Sequence, residues 1–131
     1  MDETALIALA LQMRERAYAP YSGYRVGAAL LSASGRVFTG CNVENAVYPL
    51  GLCAERVAVF KAISEGERTF ITIVVATENG GTPCGACRQV LSEFAADLRI
   101  LLVDARGQVR ETSLRALLPE PFGPQDLRSV R

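Results

Sequence analysis

The chain of 131 residues contains no histidine. Without imidazole there is no serine or cysteine protease triad and no histidine metal box. No side chain titrates near neutrality unless its surroundings perturb it, so proton transfer falls to carboxylates, thiols or metal-bound water. Net charge is also missing, because 14 basic residues face 14 acidic ones. That leaves no electrostatic footprint for a polyanion and points to a small-molecule partner rather than nucleic acid. Nor is there an apolar run of the roughly 20 residues needed to span a bilayer. The stretch from Ala5 to Leu11 is short and follows Asp2 and Glu3 rather than a basic region, which argues against a signal peptide. A cytoplasmic protein with reduced thiols and no membrane partner is expected. No repeat or low-complexity tract is present. Half of the residues are apolar, and at this length that suits one core, so residues 1–131 are expected to form a single domain.

The apolar pattern predicts the elements. Leu6, Leu9, Ala10 and Met13 recur at helical spacing over roughly the first seventeen residues, with Pro20 as the stop. Two apolar-rich runs, 26–32 and 37–43, join at Ser34-Gly35 as a hairpin whose second strand ends at Asn42 and Glu44. A helix is predicted from Cys53, with Val57, Phe60, Lys61 and Ser64 in helical register and Gly66 as its C-terminal cap. The β-branched run 71–77 suits a strand buried on both faces. After Gly80-Gly81 a helix starts near Cys84 with Val90, Leu91 and Phe94 inward, and strands at 99–104 and 108–111 follow, turned at Gly107. A brief helix at 113–118 precedes a proline-rich tail. This order predicts a three-layer α/β/α sandwich around a mixed five-stranded sheet.

The chemistry lies in two short segments, Cys53-Ala54-Glu55 and Pro83-Cys84-Gly85-Ala86-Cys87. Cys84 and Cys87 are three apart at a helix start, so both sulfurs can share a face where the helix dipole favours thiolate. Cys53 offers a third sulfur in the same way. Converging helix ends would place three thiolates around a tetrahedral zinc and leave a fourth position for water, and three thiolates favour zinc over magnesium or manganese. Glu55 can overhang that position as a general base. Donation from Arg56 to a thiolate would withdraw charge from the metal site, whereas Arg88 reads as a surface arginine. Two other readings compete. A Cys-x-x-Cys at a helix start also fits a dithiol redox pair, which leaves Cys53 and Glu55 unexplained. A closed structural zinc module could use Cys41 as fourth ligand, but strand alternation turns Cys41 away from the side of Asn42 and Glu44.

Cys-Ala-Glu-Arg at 53–56 with Pro-Cys-Gly-Ala-Cys-Arg-Gln at 83–89 resembles the cytidine deaminase family, of the small homotetrameric type. Tyr21-Ser22, Val26-Gly27-Ala28-Ala29-Leu30, the segment 40–46 and Phe122-Gly123-Pro124 carry the resemblance along nearly the whole chain. It implies a cytidine deaminase-like fold and one zinc per subunit on Cys53, Cys84 and Cys87. The implied reaction is hydrolytic deamination of cytidine and 2′-deoxycytidine with release of ammonia, by attack of zinc-bound hydroxide on the amino-bearing ring carbon. Glu55 would shuttle the protons. Asn42 and Glu44 would bind ribose hydroxyls, a role also suited to a donor and an acceptor two apart on a strand. Ala54 and Tyr24 would border the nucleoside, Tyr24 standing where the family commonly has phenylalanine. Phe122 would close a neighbouring subunit's pocket. Tyr18, Tyr21 and Tyr48 read as packing or interface aromatics. A related deaminase of a nucleoside antibiotic such as blasticidin S would use the same machinery.

Overall fold

The computed structural model describes residues 1–128. Strands β1 (Gly27–Ser32), β2 (Val37–Cys41), β3 (Phe70–Ala76), β4 (Arg99–Val103) and β5 (Val109–Ser113) form one sheet in the order β2-β1-β3-β4-β5. The pairings are antiparallel except between β3 and β4, so the sheet is mixed as expected. Helix α1 (Glu3–Arg14) packs Leu6 and Ala10 onto one face with Ala29, Val74 and Leu101. On the other face α2 (Ala54–Ser64) and α3 (Gly85–Phe94) cover Leu30, Ile73 and Ile100. Each central strand therefore buries both of its sides, which is why β3 and β4 read as continuous apolar runs. A 3-10 turn at Tyr48–Leu50, a short α4 (Leu114–Leu117) and α5 (Pro124–Arg128) complete the chain, and α5 adds a turn of helix to a tail expected to have none.

Two sequence expectations change. Helix α1 stops at Arg14, well before Pro20. The chain leaves the helix early because Tyr18 donates its N–H to the Asn42 carbonyl at 3.0 Å and bridges Val43, a tertiary pairing that overrides local propensity. Strand β2 ends at Cys41, so Asn42 and Glu44 lie beyond the sheet rather than on a strand. The buried face of α2 is Ala54, Glu55, Ala58, Val59 and Ala62, whereas Phe60 and Lys61 face outward. Gly40 is the reason: a Cβ there would lie 2.4 Å from the Ala54 carbonyl and 2.8 Å from the Ala58 nitrogen. Helix and strand backbones are pressed together, and only alanine-sized side chains fit between them. At the far end of α2, Gly66 takes the left-handed conformation (φ 93°). The N–H groups of Gly66 and Glu67 bond back to Ile63 and Ala62, each at 3.0 Å, closing the helix as predicted.

Candidate active site and metal centre

The start of α2 and the start of α3 meet at the carboxyl-end side of β3. Cys53 is the N-cap of α2 and Cys84 the N-cap of α3, both with extended backbone and neither using its side chain to cap its helix. Cys87 sits in the first turn of α3, fully buried. The three sulfurs all lie within 4.8 Å of one another, with Cys53 and Cys84 at 3.9 Å and no disulfide formed. A tetrahedral zinc with Zn–S bonds of about 2.3 Å needs sulfurs about 3.8 Å apart. The donor set and its spacing fit zinc. Cys41 is not in this cluster, which is against the four-thiolate site, and the grouping of Cys53 with the Cys84/Cys87 pair is against a lone dithiol.

The arginine at the third position after Cys53 serves this cluster. Arg56 Nη2 donates to Cys53 Sγ at 3.3 Å, as the charge argument required. A hydrogen bond from the Cys87 thiol, and then the Arg56 guanidinium, hold the Cys53 thiol well below its usual range. Its partner Cys87 moves upward, because it is the donor to Cys53 and is buried. Arg88 behaves otherwise: its guanidinium donates to the carbonyls of Pro83 (2.8 Å) and Leu117 (3.0 Å) and to Thr82 Oγ1 (2.9 Å). It is neither a ligand partner nor a free surface residue but a brace that fixes the loop leading into Cys84.

Glu55, in the first turn of α2, is only 4% exposed. Burial pushes its carboxyl up to about 7, and the Cys53 thiolate adds to the shift. A cavity of about 260 Å³ is lined by Glu55, Cys53 and Cys84 together with Tyr24, Val26, Thr77 and Thr82. A larger, more open cavity of about 410 Å³ adjoins it, with Tyr21, Tyr48, Asn45 and Arg56 in its lining. Ser22, Asn42, Glu44 and Cys53 border both.

The expected ribose-binding pair borders both cavities, and each member already has protein partners. Asn42 Oδ1 accepts from Val26 N at 2.8 Å and its Nδ2 donates to the Tyr24 carbonyl at 2.8 Å. The Glu44 carboxylate accepts from the backbone N–H groups of Tyr21 and Ser22, each at 3.0 Å, and from the Ser22 hydroxyl. The Ser22 contacts hold Glu44 below the usual carboxylate range. Together they shape the loop 21–26. Ala54 is buried beneath the cluster and its side chain lines neither cavity, while Phe122 is exposed on the tail, away from both cavities of its own chain. The Tyr21 and Tyr48 rings meet at 5.7 Å over the larger cavity. Sequence reasoning missed Asn79, whose Oδ1 accepts from Tyr24 Oη at 2.7 Å, and Gln89, whose Nε2 donates to the Phe122 carbonyl at 2.7 Å. No periodicity or motif marks Asn79, and Gln89, though it ends the motif 83–89, carried no sign of its reach to the tail.

A family model described as the cytidine and deoxycytidylate deaminase zinc-binding region matches residues 1–102. The cytidine deaminase of Sporosarcina psychrophila is 46% identical over 130 residues, covering 97% of this chain and 96% of that protein. That of Halalkalibacterium halodurans is 48% identical over 130 residues, covering 97% and 98%. Among solved structures, cytidine deaminase from Burkholderia pseudomallei superimposes with a TM-score of 0.88 at 50% identity, over 93% of this chain and all (100%) of that one. The Mycobacterium tuberculosis enzyme does so with a TM-score of 0.81 at 41% identity, covering 94% and 98%.

Proposed function

The chain belongs to the cytidine deaminase family, and on that premise we propose that it is a zinc-dependent hydrolase converting cytidine to uridine and ammonia, with 2′-deoxycytidine as a second substrate. The observation that carries this reading is the buried Glu55 carboxyl, which lines the same small cavity as Cys53 and Cys84. The relatives' names favour a cytosine nucleoside over a nucleoside antibiotic along nearly the whole chain.

In this reading Cys53, Cys84 and Cys87 hold one zinc ion per subunit. When bound, zinc supplies the Lewis acidity that makes water acidic near neutral pH. Glu55 accepts the proton of the attacking water and delivers it to the ring nitrogen. The C–O bond forms in that step; Glu55 then takes the second proton from the new hydroxyl and passes it to the amino group, and the C–N bond breaks as the carbonyl forms, releasing ammonia. A carboxyl raised toward neutrality is suited to both directions of transfer, because it gives up and regains a proton at little cost. Arg56 withdraws charge from Cys53, offsetting the donation of three thiolates. Asn42 and Glu44 offer their remaining lone pairs and N–H groups to the sugar, Tyr24 and the start of α2 at Ala54 border the base, and the two cavities together accommodate a nucleoside.

We read residues 1–131 as one such domain, cytoplasmic and acting in pyrimidine salvage, and no described helix is long and apolar enough to cross a membrane. Tyr48, Leu50, Val47 and Phe122 stand exposed near or beyond the rim. Such rings seek cover, and a homotetramer in which Phe122 enters a neighbour's cavity provides it. The deciding experiment is to incubate the zinc-loaded protein with a panel of nucleosides and follow cytosine absorbance and ammonia. Turnover of cytidine and 2′-deoxycytidine is expected. Turnover of a nucleoside antibiotic alone, or of none of the panel, would overturn the assignment.

A further inference from the structure

The Tyr24 hydroxyl has a built receptor on the adjacent loop. That hydroxyl donates to Asn79 Oδ1 at 2.7 Å. The same oxygen accepts from the Gly81 N–H at 3.2 Å, and because a backbone N–H can only donate, the amide orientation is fixed and Tyr24 must be the donor. The loop itself is preformed. Buried Thr77 takes the N–H groups of Gly80 and Gly81 on its Oγ1 at 2.8 and 3.0 Å. A Cβ on Gly81 would stand 2.9 Å from Tyr24 Oη, so the niche is open only to glycine while the tyrosine occupies it. Tyr24 and Val26 line the 260 Å³ cavity beside Thr77 and Thr82, which flank the Asn79 loop, and the pairing of Gly27 with Ala76 brings the two segments side by side.

We propose that the Tyr24–Asn79 hydrogen bond is a clasp that holds the Tyr24 ring at a fixed position in the cavity lining, making Tyr24 and Asn79 specificity-determining residues that exclude pyrimidines larger than cytosine. Holding a ring at its far end fixes both of its side-chain torsions. A phenylalanine here could swing and widen the space, whereas the clasped tyrosine cannot without losing its bond. The proposal rests on the reading of the site as a cytidine deaminase.

The test is steady-state kinetics of the zinc-loaded protein with cytidine and with 5-methylcytidine. Tyr24→Phe and Asn79→Leu are each expected to raise KM for cytidine about fivefold, the factor a net hydrogen bond is worth, and to shift kcat/KM preference toward 5-methylcytidine. The kcat for cytidine should stay within about twofold, since the reacting groups are untouched. Asn79→Asp keeps an acceptor for both donors and should retain the native preference. The double variant Tyr24→Phe/Asn79→Leu should be no worse than either single one. Gly81→Ala should reproduce the loss in the native background and be tolerated beside Tyr24→Phe, where no hydroxyl fills the niche. Unchanged preference in Tyr24→Phe and Asn79→Leu, additive losses in the double variant, or Gly81→Ala equally harmful in both backgrounds would overturn the clasp. A wild-type protein inert toward both nucleosides would overturn the activity reading and the clasp with it, whereas an active wild type with indifferent variants removes the clasp alone.

Discussion

At the floor of the site Cys87 is 0% exposed, while at its rim Tyr48 is 72% and Phe122 58% exposed. The floor is built from helix ends whose position is over-determined. Gly40 presses α2 onto β2, Arg88 ties α3 to the loop before it, and the three sulfurs converge without help from any other chain. The rim is built from loops and a tail. Its polar residues, Glu44 and Asn42, spend much of their bonding capacity on shaping the loop 21–26, and its rings point outward. A site can thus be chemically complete while being sterically open. We expect reaction chemistry to belong to the single chain and substrate retention to depend on the assembly.

The sharpest way to test that division is to remove the proton carrier and leave the metal. Glu55→Gln is isosteric and should keep fold and zinc content while lowering kcat on the order of 10⁴-fold, because acid and base roles vanish together. A zinc-replete variant with near-normal turnover would break the floor's claim to the chemistry. Next in size is Arg56→Ala. The guanidinium contacts Cys53 Sγ at 3.3 Å, and its buried Nε has no hydrogen-bond partner among the described residues, so the group is committed to the cluster. Removing it should lower kcat about 10- to 100-fold, the range for groups that orient and polarise metal ligands. The change in KM should be smaller. If only KM rises, Arg56 belongs to the rim and touches substrate.

The division also explains what could be read in the sequence. Cys84 and Cys87 lie within one turn, and Glu55 two residues after Cys53, so local spacing alone carries the floor once two helix starts are placed. The three layers followed from the order of helices and strands, with the continuous apolar run 71–77 marking a strand buried on both faces. What was hidden depends on contacts between distant segments. The buried face of α2 follows from Gly40 on a strand, and helical spacing by itself does not single out Ala58 and Ala62 for it. The early end of α1 follows from the pairing of Tyr18 with Asn42 and Val43. Asn42 and Glu44 border the cavities as loop residues and not as strand neighbours two apart, since β2 stops at Cys41. Asn79 and Gln89 act through hydrogen bonds that reach across 55 and 33 residues, for which no local pattern exists.

Phe122→Ala tests the rim directly. Its ring lies outside both cavities of its own chain, so truncation should leave zinc and kcat close to native and raise KM about tenfold, the cost of losing a buried aromatic contact at an interface. Light scattering should report a tetramer for the native protein. A fully active native monomer would show that one chain closes its own site and would collapse the distinction. A tetramer indifferent to Phe122→Ala would keep the assembly but remove the shared pocket.

The smallest effect is expected at a hydrogen bond that ties the two regions together. Gln89 lies on α3, two residues after Cys87, and donates to the Phe122 carbonyl at 2.7 Å. The helix that carries two of the three sulfurs therefore also sets the direction in which the tail leaves, and Asp126 steadies the next step by accepting the Gly123 N–H at 2.8 Å. Gln89→Ala removes one exposed hydrogen bond and leaves the ring in place, so KM should rise only about threefold, less than for Phe122→Ala. Gln89→Glu cannot donate and should behave like the alanine variant. Because both substitutions act on the same ring, Gln89→Ala should add nothing in a Phe122→Ala background. A drop in kcat or zinc content for Gln89→Ala would mean that the side chain supports α3 and the floor instead, and that the tail is positioned by its own proline-rich backbone.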